Sequence, residues 1–365
     1  MNDKSYKIYQ RKDQRYEVRY PYGIKSNGKT NYNSVYGKTK KEALDKYSII
    51  INKKINELDL KILDKSLFGL DIYKWLNSAK IRCKKTTFSN YQYTVNARII
   101  PKFANIKKKS ITSELIDNYT YELLEEGLVP KTVNDILIIL QQILKYADLN
   151  IRISMPKVPK KEIQILKKEE QLMLEKFLLY KINSVKLAIY ICLYTGLRIG
   201  EMCALKWENI DIENKKFKIR KTITRIKNPV KDSKQKTIVL IDEPKSISSI
   251  RDIPIPDFLI PILIKFKAFS RSSDFFVTGT NKFIETRSFF NKYKKILTQL
   301  HIEQYNFHAL QHTFATRCIE NGCGPKTLSE ILGHSNVNVT LEHYVHPNYE
   351  NKVKMMNKLK PMYNL

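Results

Sequence analysis

The sequence predicts a multidomain, mainly α-helical protein with small β-sheets: an N-terminal three-stranded sheet plus helix, a helical bundle, and a mixed α/β C-terminal domain. Three observations lead there. At 365 residues the chain is too long for one ordinary core. Period-two alternation is confined to residues 5–36 and to a stretch between 216 and 255. Helical spacing of apolar residues fills most of the rest. With 42% hydrophobic and 28% charged residues, wholesale disorder is excluded. No run of about 18 apolar residues occurs, which excludes a membrane-spanning helix.

Residues 5–36 place Tyr6 and Ile8, then Tyr16, Val18 and Tyr20, in strand alternation, with turn material at Lys12-Asp13-Gln14 and Ser26-Asn27-Gly28-Lys29. Three short antiparallel strands fit. Thr39-Lys40-Lys41-Glu42 reads as a capping box that opens a helix to about Leu60, closing a domain over residues 1–65. Arg, Lys and Tyr interleave on the exposed face, which suits a β-ribbon in a DNA major groove; a merely solvated basic face is the alternative. Residues 66–150 carry helical periodicity in Leu67–Leu76, Thr87–Ile100, Ser113–Glu126 and Pro130–Tyr146, enough for one bundle. The last of these has Pro130 at its first position, where the missing N–H costs nothing. Basic clusters (Lys80, Arg82, Lys84, Lys85 and Lys107–Lys109) fall at helix ends, where phosphates could be met.

Residues 151–167 hold prolines and lysines with no period and read as a basic linker that could lie along a nucleic-acid backbone. A second unit follows over 168–347. It holds a helix from Lys168, a buried helix around Val185–Tyr194, a turn at Gly196, a helix from Ile199, strands in 216–226 and 238–255, and then helices.

The charge narrows the function. Lys and Arg number 65 against 36 Asp and Glu, a formal net charge of +29. A polyanionic partner, nucleic acid first, explains that excess. Low-GC codon bias inflates Lys but raises Asp and Glu alongside it, so it leaves the imbalance unexplained. The N-terminus has no apolar signal region, and the five cysteines form no CxxC pair, so a cytoplasmic chain with reduced thiols is expected.

All six histidines (His301, His308, His312, His334, His343 and His346) lie within 301–346. His308 and His312 share a helix face as zinc ligands do, but the HExxH glutamate and a cysteine pair are missing, so no metal and no other cofactor is expected. Imidazoles near DNA otherwise bind phosphate oxygen or move protons. In TGLRIGEMCALKW, at 195–207, Leu197, Ile199, Met202 and Leu205 account for packing, and Arg198 is left over. Its planar fork suits a phosphate; an ion pair with Glu201 is the structural alternative, and one residue can do both.

TGLRIGE, then HALQHTFATR, then LGHSNVNVTLEHYVH, in this order and at these intervals, resemble the tyrosine recombinase family of DNA strand-exchange integrases. The resemblance covers about residues 165–350. The upstream layout is similar to integrases of conjugative transposons and related phages. In those, the N-terminal domain binds arm-type sites and the bundle and catalytic domain clamp the core site. The resemblance implies double-stranded DNA with both site types as partner, a homotetramer on DNA, an accessory DNA-bending or excision factor, and nucleoid association in a bacterial cytoplasm. It also implies assembly of active sites in trans through the segment 348–365, whose Val353, Met356 and Leu359 share a helical stripe. Packing of that stripe in cis is the alternative.

Residue by residue, the resemblance makes Tyr344 the nucleophile that forms a 3′-phosphotyrosine. Arg198 becomes the first phosphate-binding arginine, Glu201 its support, and His308 and His334 the two histidines at the phosphate. EPKSISSIRDIPIP, at 243–256, resembles the family's β-hairpin and makes Lys245 the general acid; Lys231, Lys234 and Lys236 are its nearby rivals. His312 and His343 read as packing or phosphate-neighbouring residues, His346 as a turn residue, and Tyr349 as a second tyrosine near the nucleophile's position. One position departs from the pattern. The second arginine is expected three residues after His308, and Gln311 stands there. Glutamine supplies neutral donors without charge or fork, so DNA binding is expected intact and cleavage slowed. A substitution made to trap a DNA complex and a naturally degenerate site both produce this pattern. The expected function is therefore a site-specific recombinase of a mobile element, attenuated at Gln311. The rival is a catalytically silent DNA-binding relative or a DNA-site regulator. A type IB topoisomerase shares the chemistry but needs no second DNA-binding domain.

Overall fold

The computed structural model describes residues 7–11, 13–24, 30–47, 66–159, 163–228, 235–244 and 247–344, together with 353, 356 and 357. The N-terminal alternation becomes a three-stranded antiparallel sheet, β1 (Lys7–Gln10), β2 (Tyr16–Ile24) and β3 (Thr30–Gly37), in that spatial order. The register sets Ile8 opposite Val18 and Val18 opposite Val35, so one face is apolar. Helix α1, described over 40–47, covers that face with Ala43 and Tyr47. Thr39 Oγ1 accepts the Glu42 N–H at 3.1 Å, as the capping box predicts, while the Glu42 carboxylate reaches one residue further back, to the Lys38 N–H at 2.8 Å. The expected helix end near Leu60 lies outside the described residues. On the other face the guanidinium groups of Arg11 and Arg15 stand over the Tyr36 ring at 5.3 and 5.5 Å, and that of Arg19 over Tyr32 at 5.0 Å.

The bundle contains α2 (Phe68–Arg82), α3 (Lys85–Thr94), α4 (Ile100–Phe103), α5 (Ser113–Glu125) and α6 (Pro130–Tyr146). Helix α2 runs beyond the expected Leu76 because Ala79, one turn after Trp75, continues the buried stripe. Between α3 and α4 a π turn, Val95–Ile99, keeps the rod continuous. Pro101 explains it: proline has no N–H to give to the preceding turn, and a widened turn just before it absorbs the lost bond. Thr112 caps α5 by accepting the Leu115 N–H at 3.2 Å. Phe68, Ile72, Trp75, Phe103, Tyr119, Leu137 and Leu140 are among the side chains closing the core.

The basic linker is tied down at both ends to its own neighbours. Ile151 and Ile153 pack on the bundle core, and the Pro156 carbonyl accepts from Asn134 Nδ2 at 3.0 Å. Leu166 is fully buried; its N–H donates to Thr313 Oγ1 at 2.9 Å. The chain divides into two compact units, residues 1–160 with 227–233, and residues 161–226 with 234–365.

The second unit begins with α7 (Lys168–Leu179), α8 (Ser184–Thr195) and α9 (Ile199–Ala204). Helix α8 is apolar all round and its residues Leu187–Leu193 are buried, the pattern of a central core helix. The expected strand-rich stretch resolves into two small sheets. β4 (Ile210–Asp211), β5 (Lys216–Ile219) and β8 (Arg251–Pro254) form one in the order β4-β5-β8, and β6 (Thr222–Lys227) with β7 (Thr237–Asp242) forms the other. Within the strand-rich stretch expected over 238–255, β7 and β8 are separated by a segment that includes a 3-10 turn at Ile247–Ser249. The helices α10 (Ile260–Lys267), α11 (Thr286–Gln299), α12 (His308–Glu320), α13 (Pro325–Leu332) and α14 (Val337–Tyr344) follow. All five cysteines are unpaired thiols; burial raises Cys192, and pushes Cys203 to about 12, so both behave as packing groups. No described helix is long and apolar enough to cross a membrane.

Candidate active site

The site is built at helix termini of the second unit. Helix α8 stops at Gly196, whose φ of +65° is the left-handed conformation that ends helices. A Cβ there would come within 2.6 Å of Leu332 Cδ2 and 2.7 Å of Phe314 Cδ1, so any larger residue would have to displace those side chains as well. That turn delivers Arg198 as the cap of α9. Its N–H and its Nη1 donate to opposite oxygens of Glu201, at 3.1 and 2.9 Å, and its Nη2 reaches the Gly333 carbonyl at 3.4 Å. The two readings of Arg198 are therefore compatible: the ion pair exists, and it uses only part of the five-donor fork.

Glu201 is almost fully buried and holds a second arginine that the sequence reading passed over. Arg251, also buried, is bidentate on Glu201, with Nη1 to Oε1 and Nη2 to Oε2 both at 3.0 Å. Its Nε donates to the Ile331 carbonyl at 2.5 Å. The sequence signal was present: in strand alternation Arg251 falls on the same side as Ile253 and Ile255, a core face. Burial is the largest influence on Glu201 and opposes its ionisation, but Arg251 and then Arg198 overcome it and hold the carboxyl below its usual range.

Helix α12 presents His308, Gln311 and His312 at three- and four-residue spacing, hence on one face. His308 faces solvent on one side; desolvation on the other, and then the Arg198 charge, lower its pKa. Gln311 is 5% exposed, and its Nε2 has no hydrogen-bond partner among the described residues. Leaving a buried amide donor unmade costs about 1–3 kcal/mol, and a phosphate oxygen would satisfy it. Helix α13 ends at Gly333 (φ +66°), where the His334 N–H closes back on the Ser329 carbonyl at 3.0 Å. The His334 ring is fixed through Nδ1 to Thr340 Oγ1 at 2.8 Å.

Tyr344, the last residue of α14, is 7% exposed and packs with Ala315, Leu328 and Leu332. Its hydroxyl lies 2.6 Å from Nδ1 of His312. Burial pushes its pKa up to about 12, and Arg198 works against that shift. His312, read as a packing or phosphate-neighbouring residue, stands four residues after His308 and touches the tyrosine hydroxyl. Of the expected set, Arg198, Glu201, His308, Gln311, His334 and Tyr344 are brought to one site, linked by these contacts and by the reach of the Arg198 charge. Lys245, its rivals Lys231 and Lys234, the His343 side chain, His346 and Tyr349 lie outside the described residues; Lys236 is described, on the approach to β7. Among the described residues no three His, Cys, Asp or Glu side chains are grouped to hold a metal ion.

Comparison with known proteins gives the arrangement its context. Residues 164–351 match the Phage integrase family, and residues 71–124 match the phage integrase N-terminal SAM-like domain. A tyrosine recombinase XerC-like protein of Caldanaerobacter subterraneus subsp. tengcongensis is 30% identical over 368 residues, covering 91% of this chain and 92% of its own length. The ICEBs1 integrase of Bacillus subtilis is 26% identical over 310 residues, 77% of this chain and 79% of its own. The solved Tn1549 transposon integrase in complex with a circular-intermediate DNA shares the fold at a TM-score of 0.66 and 20% identity, covering 81% of this chain and 100% of that one. Fold, site and relatives define an enzyme class that acts on DNA through a tyrosine. The chain belongs to the phage integrase family, the tyrosine recombinases, and is related to the integrases of conjugative transposons.

Proposed function

We propose that this recombinase integrates and excises a mobile element, with Tyr344 as nucleophile. The observation that carries the reading is the convergence of Arg198, His308, Gln311 and His334 with a buried tyrosine hydroxyl at the ends of four separate helices. In the attack, Oη of Tyr344 bonds to the scissile phosphorus and the 5′-oxygen leaves. Arg198 and the two histidines meet the extra negative charge of the five-coordinate phosphorus with fixed donors. Lys245 is the proton source for the leaving oxygen. The phosphotyrosine conserves the energy of the broken phosphodiester, so resealing needs no nucleotide.

The outer face of the N-terminal sheet, with its arginines stacked on Tyr32 and Tyr36, reads arm-type sites, and the bundle and second unit take the core site. Residues 1–65, 66–150, 151–167 and 168–347 serve as arm-binding domain, core-binding domain, linker and catalytic domain. The segment 348–365 docks in trans in a synaptic tetramer, and an accessory bending or excision factor sets direction. Many phosphate contacts by a chain of net charge +29 imply affinity that falls steeply with salt. Gln311 favours one other reading, a DNA-binding relative without strand cleavage.

A core-site duplex nicked close to the cleavage position separates the two. A covalent protein–DNA adduct is expected, and it is expected to vanish in Tyr344→Phe while DNA binding persists. No adduct at any enzyme concentration, from this chain or from Gln311→Arg, would favour the silent relative.

A further inference from the structure

A phenol with a pKa near 12 is almost wholly protonated at neutral pH. As a nucleophile it must lose that proton during the attack, and a group within hydrogen-bond reach must accept it. The carboxylate of the site is unsuited to this. Both oxygens of Glu201 are occupied by Arg251, and both also serve Arg198. His334 has its Nδ1 committed to Thr340.

His312 is differently placed. Its Nδ1 stands 2.6 Å from the Tyr344 hydroxyl oxygen. The two rings are 5.8 Å apart between centroids and the His308 ring is 6.5 Å from that of His312, so the imidazole lies beside the tyrosine on the α12 face that carries His308. The helix under it is fixed. Thr313 donates to the Ala309 carbonyl at 2.7 Å and accepts the Leu166 N–H, and Ala309 and Leu310 are fully buried.

We propose that His312 is the proton acceptor for Tyr344, a catalytic role that rests on the reading of Tyr344 as the nucleophile. In the ground state the neutral ring carries its proton on Nε2 and accepts the tyrosine O–H through Nδ1. As the Oη–phosphorus bond forms, the Oη–H bond breaks and the proton passes to Nδ1. The phosphorus–O5′ bond breaks, and the leaving oxygen takes a different proton, from Lys245. Religation runs the same transfers backwards: the 5′-hydroxyl gives its proton to Lys245, and His312 returns the other to the tyrosine.

The test uses the nicked core-site duplex with the full chain, both as it stands and carrying Gln311→Arg. His312→Asn keeps a polar group near Oη without a titratable nitrogen, and His312→Ala opens room for a free base. Both variants are expected to bind the duplex as tightly as the parent and to form adduct about 100-fold more slowly or worse. Added imidazole should restore a measurable part of the His312→Ala rate and leave the parent unchanged. Adduct formation by His312→Asn within threefold of the parent, or no response of His312→Ala to imidazole, overturns the proposal. So does loss of DNA binding in both variants, which would make the side chain structural. Tyr344→Phe runs alongside: an adduct that survives it removes the nucleophile assignment itself, an outcome distinct from failure at His312.

Discussion

Replacing Gln311 with arginine is expected to speed covalent adduct formation by about 100- to 1,000-fold, the range over which single oxyanion-stabilising donors act. The geometry gives the direction. Gln311 sits on the same face of α12 as His308, buried, with Nε2 unpaired among the described residues. A phosphate entering beside Arg198 can take a hydrogen bond from that amide, so ground-state binding is served. The transition state gains a further negative charge, and a neutral amide answers it with one modest donor, where arginine would bring a full charge and a planar pair of donors. The effect should therefore appear in the cleavage rate and scarcely in the affinity for the core duplex. Equal single-turnover rates for the two proteins on the nicked substrate would show that the site compensates elsewhere for the missing guanidinium.

That departure was legible from the sequence, because three motifs fix the spacing that makes Gln311 conspicuous. So were the N-terminal sheet, written in a two-residue period, and α6, which opens at Pro130 as expected. The π turn before Pro101 was harder to see: a proline interior to a periodic stretch signals disturbance without saying whether the helix stops or widens. The partners of Arg251 and His312 were missed for a common reason. Arg251 is polar on a strand face whose other members pack, and His312 shares its helix face with His308 and Gln311, but neither pattern says which distant group it meets. The partner of Arg251 lies 50 positions away and that of His312 lies 32 away, on other elements. Long-range pairing of this kind follows from the fold and has no local signature.

Glu201→Ala is expected to cost about 3–5 kcal/mol of stability in the second unit, the range for removing one partner from a buried charge pair. The carboxylate joins three segments. Arg198 from the turn after α8 and Arg251 from β8 both close on it, and through them the carbonyls of Gly333 and Ile331 at the end of α13 are held. Alanine strands Arg251, which is only 8% exposed, and it loosens Arg198, which the proposed mechanism aligns on the phosphate. Urea denaturation measures the first effect, and adduct formation by the surviving folded fraction measures the second.

The same ion cluster predicts a pH signature. Because the folded-state pKa of Glu201 lies below its ordinary value of 4.5, its contribution is fully present above that pH and fades as pH falls through the lowered value. Between neutrality and pH 5 the cluster should hold without change. Below about 4.5 the parent should lose stability more steeply than Glu201→Gln, whose amide cannot ionise and can still accept a hydrogen bond from one arginine. Parallel stability curves for the two proteins down to pH 3 would mean that the carboxylate is not what fastens β8, α9 and the end of α13 together.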